Sequence, residues 1–187
     1  KNKRYESVDG YELTFALNHL SPFLLTSLLI DMLKASKQGR IINVSSIAHY
    51  RGTIDLEDLQ SKQDYNGFAA YAQSKLAMIL FTYELASRLG NTNVTVNAVH
   101  PGFVATNFGK NNGWIRFYVR RLIKRNDICA AEGAKPLIYL ATSPELANTT
   151  ASYFDQSKEV KSSDDSYNDG LAKRLWKISE DLTGVSF

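Results

Sequence analysis

The chain has 187 residues, 44% hydrophobic and 22% charged, which supplies enough apolar material for one sizeable core, while 11 glycines and 4 prolines exclude a collagen-like or low-complexity chain. A net charge of +3 is too small to argue for a nucleic-acid partner. The single cysteine, Cys129, excludes an internal disulfide and a cysteine-based zinc cluster, and it suits a reducing compartment.

In chain order, Lys1 to Arg4 lead into polar sequence with no apolar signal core, and the chain opens on Lys and not Met, so processing or truncation upstream is expected. From about Tyr11 to Leu33, Leu13, Leu17, Leu20, Leu24, Leu28 and Met32 recur at spacings of three or four and predict a long helix with that face inward. Its uncharged stretch Leu13 to Ile30 carries Asn18, His19, Ser21 and Pro22 in its middle and barely reaches spanning length, so a membrane span is rejected. After Gly39, the β-branched run Arg40 to Ser45 predicts a buried strand. Arg51 to Gly67 is polar and irregular.

A second helix is predicted over about Phe68 to Leu89, with Leu76, Ile79, Leu80, Tyr83 and Leu85 at core spacing and Gly90 at the stop. Asn93 to Val99 predicts a second strand, broken at His100-Pro101-Gly102. A helix over about Ala130 to Ala141 follows, then a short strand at Ser152-Tyr153-Phe154. A last helix covers about Gly170 to Leu182, with Leu171, Leu175, Ile178 and Leu182 on one face. There is no internal repeat. Strands separated by long helices imply crossover connections, and hence an α/β fold with a doubly wound parallel sheet covered on both faces. Two clear strands and one weak one leave that sheet incomplete.

Three features carry chemistry. Tyr71 and Lys75 stand four residues apart near the start of a strong helix, on one face and about 6 Å apart along the axis. A fixed ammonium there favours the phenolate, which makes Tyr71 a candidate general acid or base. Ser45 and Ser46 end the first strand, at the carboxyl edge where open α/β sheets place ligands. The loop His100-Pro101-Gly102-Phe103-Val104-Ala105-Thr106 lies at the same edge of the next strand and offers backbone groups to a flat ligand. Singly, each has a bland reading: a surface pair, turn chemistry and a turn. Their order along the chain is what makes chance placement a poor account.

Asn43-Val44-Ser45-Ser46, Tyr71 to Lys75 and Pro101 to Thr106 together resemble the pattern of the classical short-chain dehydrogenases/reductases, a strand ending in NxSS, then YxxxK, then PGxxxT. The text Gly39 to His49, together with Asn18-His19-Leu20, Glu132-Gly133-Ala134, Leu140 to Glu145 and Arg174-Leu175-Trp176, resembles the retinol dehydrogenase-like branch, so the similarity runs over essentially the whole chain. The resemblance implies a Rossmann-type fold and an NAD(P)-dependent oxidoreductase interconverting an alcohol and an aldehyde or ketone, with a small lipophilic substrate of the retinol dehydrogenase type. In that reading Ser46 bonds the substrate oxygen, Tyr71 transfers the proton, and Lys75 binds the nicotinamide ribose and depresses the Tyr71 pKa. Asn18 completes the catalytic set through a main-chain carbonyl that holds a water. Pro22, four residues on, has no N–H to satisfy that carbonyl. Ser21-Pro22 stands where many members have Gly-His. The resemblance also assigns Pro101, Gly102, Val104 and Thr106 to the cofactor along with Tyr71 and Lys75. The cofactor is NADP or NAD, the former slightly favoured, and no metal is implied.

The family's glycine-rich phosphate turn is missing: the one G-x-x-x-G, Gly109 to Gly113, follows no strand and lacks the third glycine. The chain therefore reads as a single domain over 1–187, the C-terminal part of the family fold with its N-terminal strands absent. Trp114 to Arg125 alternates five basic residues with apolar ones and reads equally as a basic amphipathic helix meeting a phospholipid surface or as a substrate-loop helix packed on its own domain. His49 and His100 read as local hydrogen-bonding residues and Trp176 as core. A homodimer and a cytoplasmic or membrane-associated location fit the resemblance, the cytoplasm favoured for the visible part. Against the enzyme stands a second reading, a truncated, non-catalytic fragment or interaction module lacking the cofactor-binding half.

Overall fold

The computed structural model describes residues 3–104 and 129–187. Thr106, Gly109 to Gly113 and the basic segment Trp114 to Arg125 lie outside the described residues. The helical elements are α1 (Leu13–Phe15), α2 (Ser21–Ala35), α3 (Gly67–Arg88), α4 (Ala130–Thr142) and α5 (Asp169–Thr183), and the strands are β1 (Gly39–Val44), β2 (Val94–His100), β3 (Ser152–Asp155) and β4 (Lys158–Val160).

The sheet order is β1-β2-β3-β4. β1 and β3 both run parallel to β2, with Val44 opposite Val99 and His100 opposite Asp155. All seven residues of β2 are buried, as a central strand covered on both faces requires. Phe23 and Ile30 of α2, Met78 and Phe81 of α3 and Trp176 of α5 pack with Val94 and Val96 on one face. Leu140 of α4 packs with Val99 and Phe154 on the other. Helices on both faces of a largely parallel sheet make this the expected α/β fold, and Trp176 lies in its core.

Two expectations need correction. β4 was not foreseen. It pairs antiparallel with β3, so the sheet is mixed. The reversal is made at Gln156-Ser157, with Gln156 at φ 55°, a left-handed turn built without the Asn-Gly or Asp-Gly signal by which hairpins are read from sequence.

The inward face of the first helix also differs. Leu17, Leu28 and Met32 are exposed; Leu20 is buried as expected, but its buried companions are Phe15, His19, Phe23, Thr26 and Ile30. A turn of π-helix, Ala16–Leu20, joins α1 to α2, and the Ser21 N–H donates to the Ala16 carbonyl five residues back. The aromatic stripe wins because it meets partners: the His19 ring lies 4.9 Å from Phe15 and 6.2 Å from Phe81, and the Phe23 ring 5.0 Å from Trp176. Helical periodicity does not choose between two apolar stripes on one helix. The continuous run Leu13–Ala35 is longer than the uncharged stretch marked in the sequence, and by length and composition it suffices to cross a membrane; a third of its most apolar window is buried inside the domain.

Candidate active site

The site is assembled where the C-terminal end of β1 meets the second turn of α3. Asn66 caps α3, its side-chain oxygen accepting the N–H groups of Phe68 at 2.9 Å and Ala69 at 3.0 Å, so the helix starts cleanly one turn before Tyr71. Tyr71 and Lys75 share a face as their spacing requires, with the Lys75 Nζ 5.7 Å from the centre of the Tyr71 ring.

β1 and α3 are then cross-tied. Asn43 donates through its side chain to Thr82 Oγ1 at 2.9 Å, Ser45 Oγ donates to the Lys75 carbonyl at 2.9 Å, and Lys75 Nζ donates to the Val44 carbonyl at 3.0 Å. This lacing holds the strand end in register with the helix turn that carries the phenol. The next residue, Ser46, has a side-chain hydrogen bond with the Tyr71 hydroxyl. The serine, tyrosine and lysine singled out in the sequence therefore meet at one place.

Burial sets the electrostatics. It pushes the Tyr71 phenol above its ordinary range, and the Ser46 bond offsets this only in part. Burial also pulls the Lys75 ammonium down to about 8. The expected depression of Tyr71 by Lys75 is thus not what governs the phenol: removal from water raises it, the Ser46 bond is what lowers it, and the ammonium is directed at the Val44 carbonyl.

Asn18 lies within the π-turn, so the regular α-helical ladder is broken where the sequence placed the break. Its side-chain amide donates to Ser74 Oγ at 3.0 Å, and Ser74 Oγ in turn donates to the Tyr71 carbonyl at 2.7 Å. Ser74 is fully buried and was missed in the sequence; its place between two candidate residues in Tyr71-Ala72-Gln73-Ser74-Lys75 was the only available signal. Gly52 was missed too. A Cβ there would stand 2.5 Å from the Ala72 carbonyl oxygen, so only glycine lets the loop after β1 lie against the turn that holds Tyr71.

The loop after β2 completes the edge. Gly102 adopts φ 90°, open to glycine at no steric cost, and directs the chain away from Pro101. Val104 rests on α4 at Gly133, where an added Cβ would come within 2.4 Å of a Val104 methyl. His49 and His100 are hydrogen-bonding or packing groups: His49 lies between the Ser46 carbonyl and the Ser163 N–H, and His100 packs edge-on against Phe103.

The family profile described as short chain dehydrogenase matches residues 1–113. The chain belongs to the short-chain dehydrogenase family. Among its relatives, human retinol dehydrogenase 14 is 44% identical over 185 residues, covering 95% of this chain and 54% of that protein. Human retinol dehydrogenase 13 is 42% identical over 193 residues, with 95% and 55% covered. A solved structure of an uncharacterized protein from Mycobacterium paratuberculosis superposes with a TM-score of 0.78 at 32% identity, covering 99% of this chain and 63% of that one. The short-chain dehydrogenase chain described here spans about half the length of the curated relatives it matches.

Proposed function

We propose that this chain carries the acid/base half of an oxidoreductase that interconverts a lipophilic alcohol and its aldehyde or ketone with a nicotinamide cofactor. The observation that carries the reading is the Ser46–Tyr71 hydrogen bond beside the Lys75 ammonium. Similarity to retinol dehydrogenases supports the substrate class.

The donor set suits the nicotinamide end of such a cofactor. Lys75 presents a partly buried ammonium that, among the described residues, is met by a carbonyl and not by an ion pair, which leaves N–H donors for sugar hydroxyls. Val104 rests on α4, and its backbone together with the Thr106 hydroxyl is assigned to the carboxamide, with Pro101 and Gly102 shaping the loop. NADP is favoured over NAD by family resemblance; the test is to compare KM for both.

A nicotinamide held there would supply a hydride to the carbonyl carbon in one direction and would accept it from the alcohol carbon in the other. The chain's own residues handle the proton. During reduction the Tyr71 hydroxyl gives its proton to the carbonyl oxygen as the new C–H bond forms, and Ser46 donates a hydrogen bond to the same oxygen. During oxidation the phenolate takes the alcohol proton as the C–H bond breaks. Lys75 offsets the phenolate charge, a role whose weight grows in a site closed to water. Asn18, fastened to Ser74, holds the broken helix at the distal end of the proton path.

Tyr71→Phe in the full-length protein tests the assignment. Turnover is expected to fall by at least about a hundredfold with cofactor affinity and unfolding midpoint retained. Turnover close to the parent's would refute the role given to Tyr71.

A further inference from the structure

His49 is fully buried one turn beyond Ser46, and nothing in the proposed proton transfer uses it. Its ring nitrogen Nδ1 lies 2.7 Å from the Ser46 carbonyl oxygen, and its Nε2 lies 3.1 Å from the backbone nitrogen of Ser163. These two contacts determine the proton's place. The Ser163 N–H is a donor, so Nε2 accepts; the Ser46 carbonyl is an acceptor, so Nδ1 carries the hydrogen and donates. The ring is neutral, and burial favours that state. The aromatic rings of Tyr50 and Tyr153 lie 4.0 and 4.8 Å away and fix its orientation.

We propose that His49 is a positioning residue, which orients Ser46 toward Tyr71 by clamping the Ser46 carbonyl to the chain segment at Ser163. This rests on the role assigned to Ser46 above. The need for a clamp follows from the local structure. Ser46 is the N-cap of the short 3-10 turn Ile47–Arg51, in extended conformation, and its Oγ already accepts the Ala48 N–H at 3.2 Å. The hydroxyl therefore serves two masters, the turn and the phenol. Rotation of the Ser46 peptide would favour one at the expense of the other. The Ser46 carbonyl accepts the His49 backbone N–H at 3.1 Å within the turn, and the ring adds a second donor that is anchored across the fold, so that the peptide is held to the body of the domain and not only to its own turn. The far anchor is well secured. Tyr50 donates to the Lys161 carbonyl at 2.5 Å, the Ser162 hydroxyl is bonded to Tyr83 and Ser166 at 2.7 Å each, and Ser166 N–H donates to the Ser163 carbonyl at 3.0 Å.

The two bonds of the ring can be separated by substitution. His49→Asn places an amide donor where Nδ1 stands and keeps the bond to Ser46, whereas His49→Gln places an amide oxygen where Nε2 stands and keeps the bond to Ser163. In the full-length protein with saturating cofactor, His49→Gln is expected to lower kcat by about 10- to 100-fold with KM for the cofactor little changed, since a small misplacement of a reacting group costs that much. His49→Asn is expected to retain kcat within about threefold at a similar unfolding midpoint. A merely structural histidine would make kcat follow the unfolding midpoint in both variants.

Ser46→Ala is measured alongside. If it abolishes turnover while the two His49 variants are equally active, or Asn is the worse of them, the clamp is overturned and the role of Ser46 stands. If Ser46→Ala itself keeps parental turnover, the assignment of Ser46 falls and the clamp falls with it.

Discussion

The Lys75 ammonium rests on the carbonyl oxygen of Val44, 3.0 Å away, and so ties the helix that carries Tyr71 to the last residue of β1. Next to it, Ser45 returns a bond to the Lys75 carbonyl. One residue thus fastens strand to helix through both its side chain and its main chain.

The first prediction concerns the charge of that lysine. Burial lowers its pKa from 10.5 to about 8, so below pH 8 the ammonium is charged in both states and its desolvation weighs on the folded one. Between about 8 and 10.5 the unfolded chain still holds the proton that the folded chain has released, and stability rises with pH. Lys75→Met should remove that rise. Urea midpoints of parent and variant at several pH values across this window check it; parallel curves would place the titration elsewhere.

Ser74 links Asn18 to the Tyr71 carbonyl with no exposure to solvent. Ser74→Ala is expected to cost about 1–3 kcal/mol, because it takes away the acceptor for an amide that is itself partly buried. Combining it with Asn18→Ala should cost clearly less than the two single losses added, since they remove one shared bond. A double-mutant cycle by denaturant unfolding reads this directly, and strict additivity would deny the coupling.

Gly52→Ala meets backbone and not a flexible side chain: the new methyl would stand 2.5 Å from the Ala72 carbonyl oxygen and 2.9 Å from its carbon. The loop or the helix must move. The expected outcome is a loss of about 1–3 kcal/mol with a fall in kcat, as the strain enters beside Tyr71. An alanine variant with parental stability and turnover would show that this approach relaxes without consequence.

Gly133→Ala would press on the methyls of Val104, at 2.4 and 2.8 Å. If the loop after β2 holds the nicotinamide, KM for the cofactor rises, and adding Val104→Ala restores part of it by giving back the space. Steady-state kinetics on the pair of variants decides between this and a purely structural contact, for which the rescue would appear in the unfolding midpoint and leave KM untouched.

The sequence by itself determined the local order: the long helices and the first three strands, and that Tyr71 and Lys75 share a helical face. It also placed Ser46, Pro101 and Gly102 at strand ends. These properties depend on residues within a few positions of one another, where backbone periodicity and the stereochemistry of proline and glycine rule. The break at Asn18 was readable for the same reason, since Pro22 lacks the N–H that a regular turn would use.

Only the tertiary structure decided the rest. It chose the aromatic stripe of Phe15, His19 and Phe23 over the leucine stripe, because the partners that reward burial sit on α3 and α5, far along the chain. It added β4 through a turn with no glycine. It brought Ser46 to Tyr71, Asn18 to Ser74 and His49 to Ser163, pairs separated by too many residues for any local period to join. It also reversed the expected direction for the Tyr71 phenol. The spacing of Tyr71 and Lys75 is written locally, but the exclusion of water that raises the phenol arises only when distant segments close over the site.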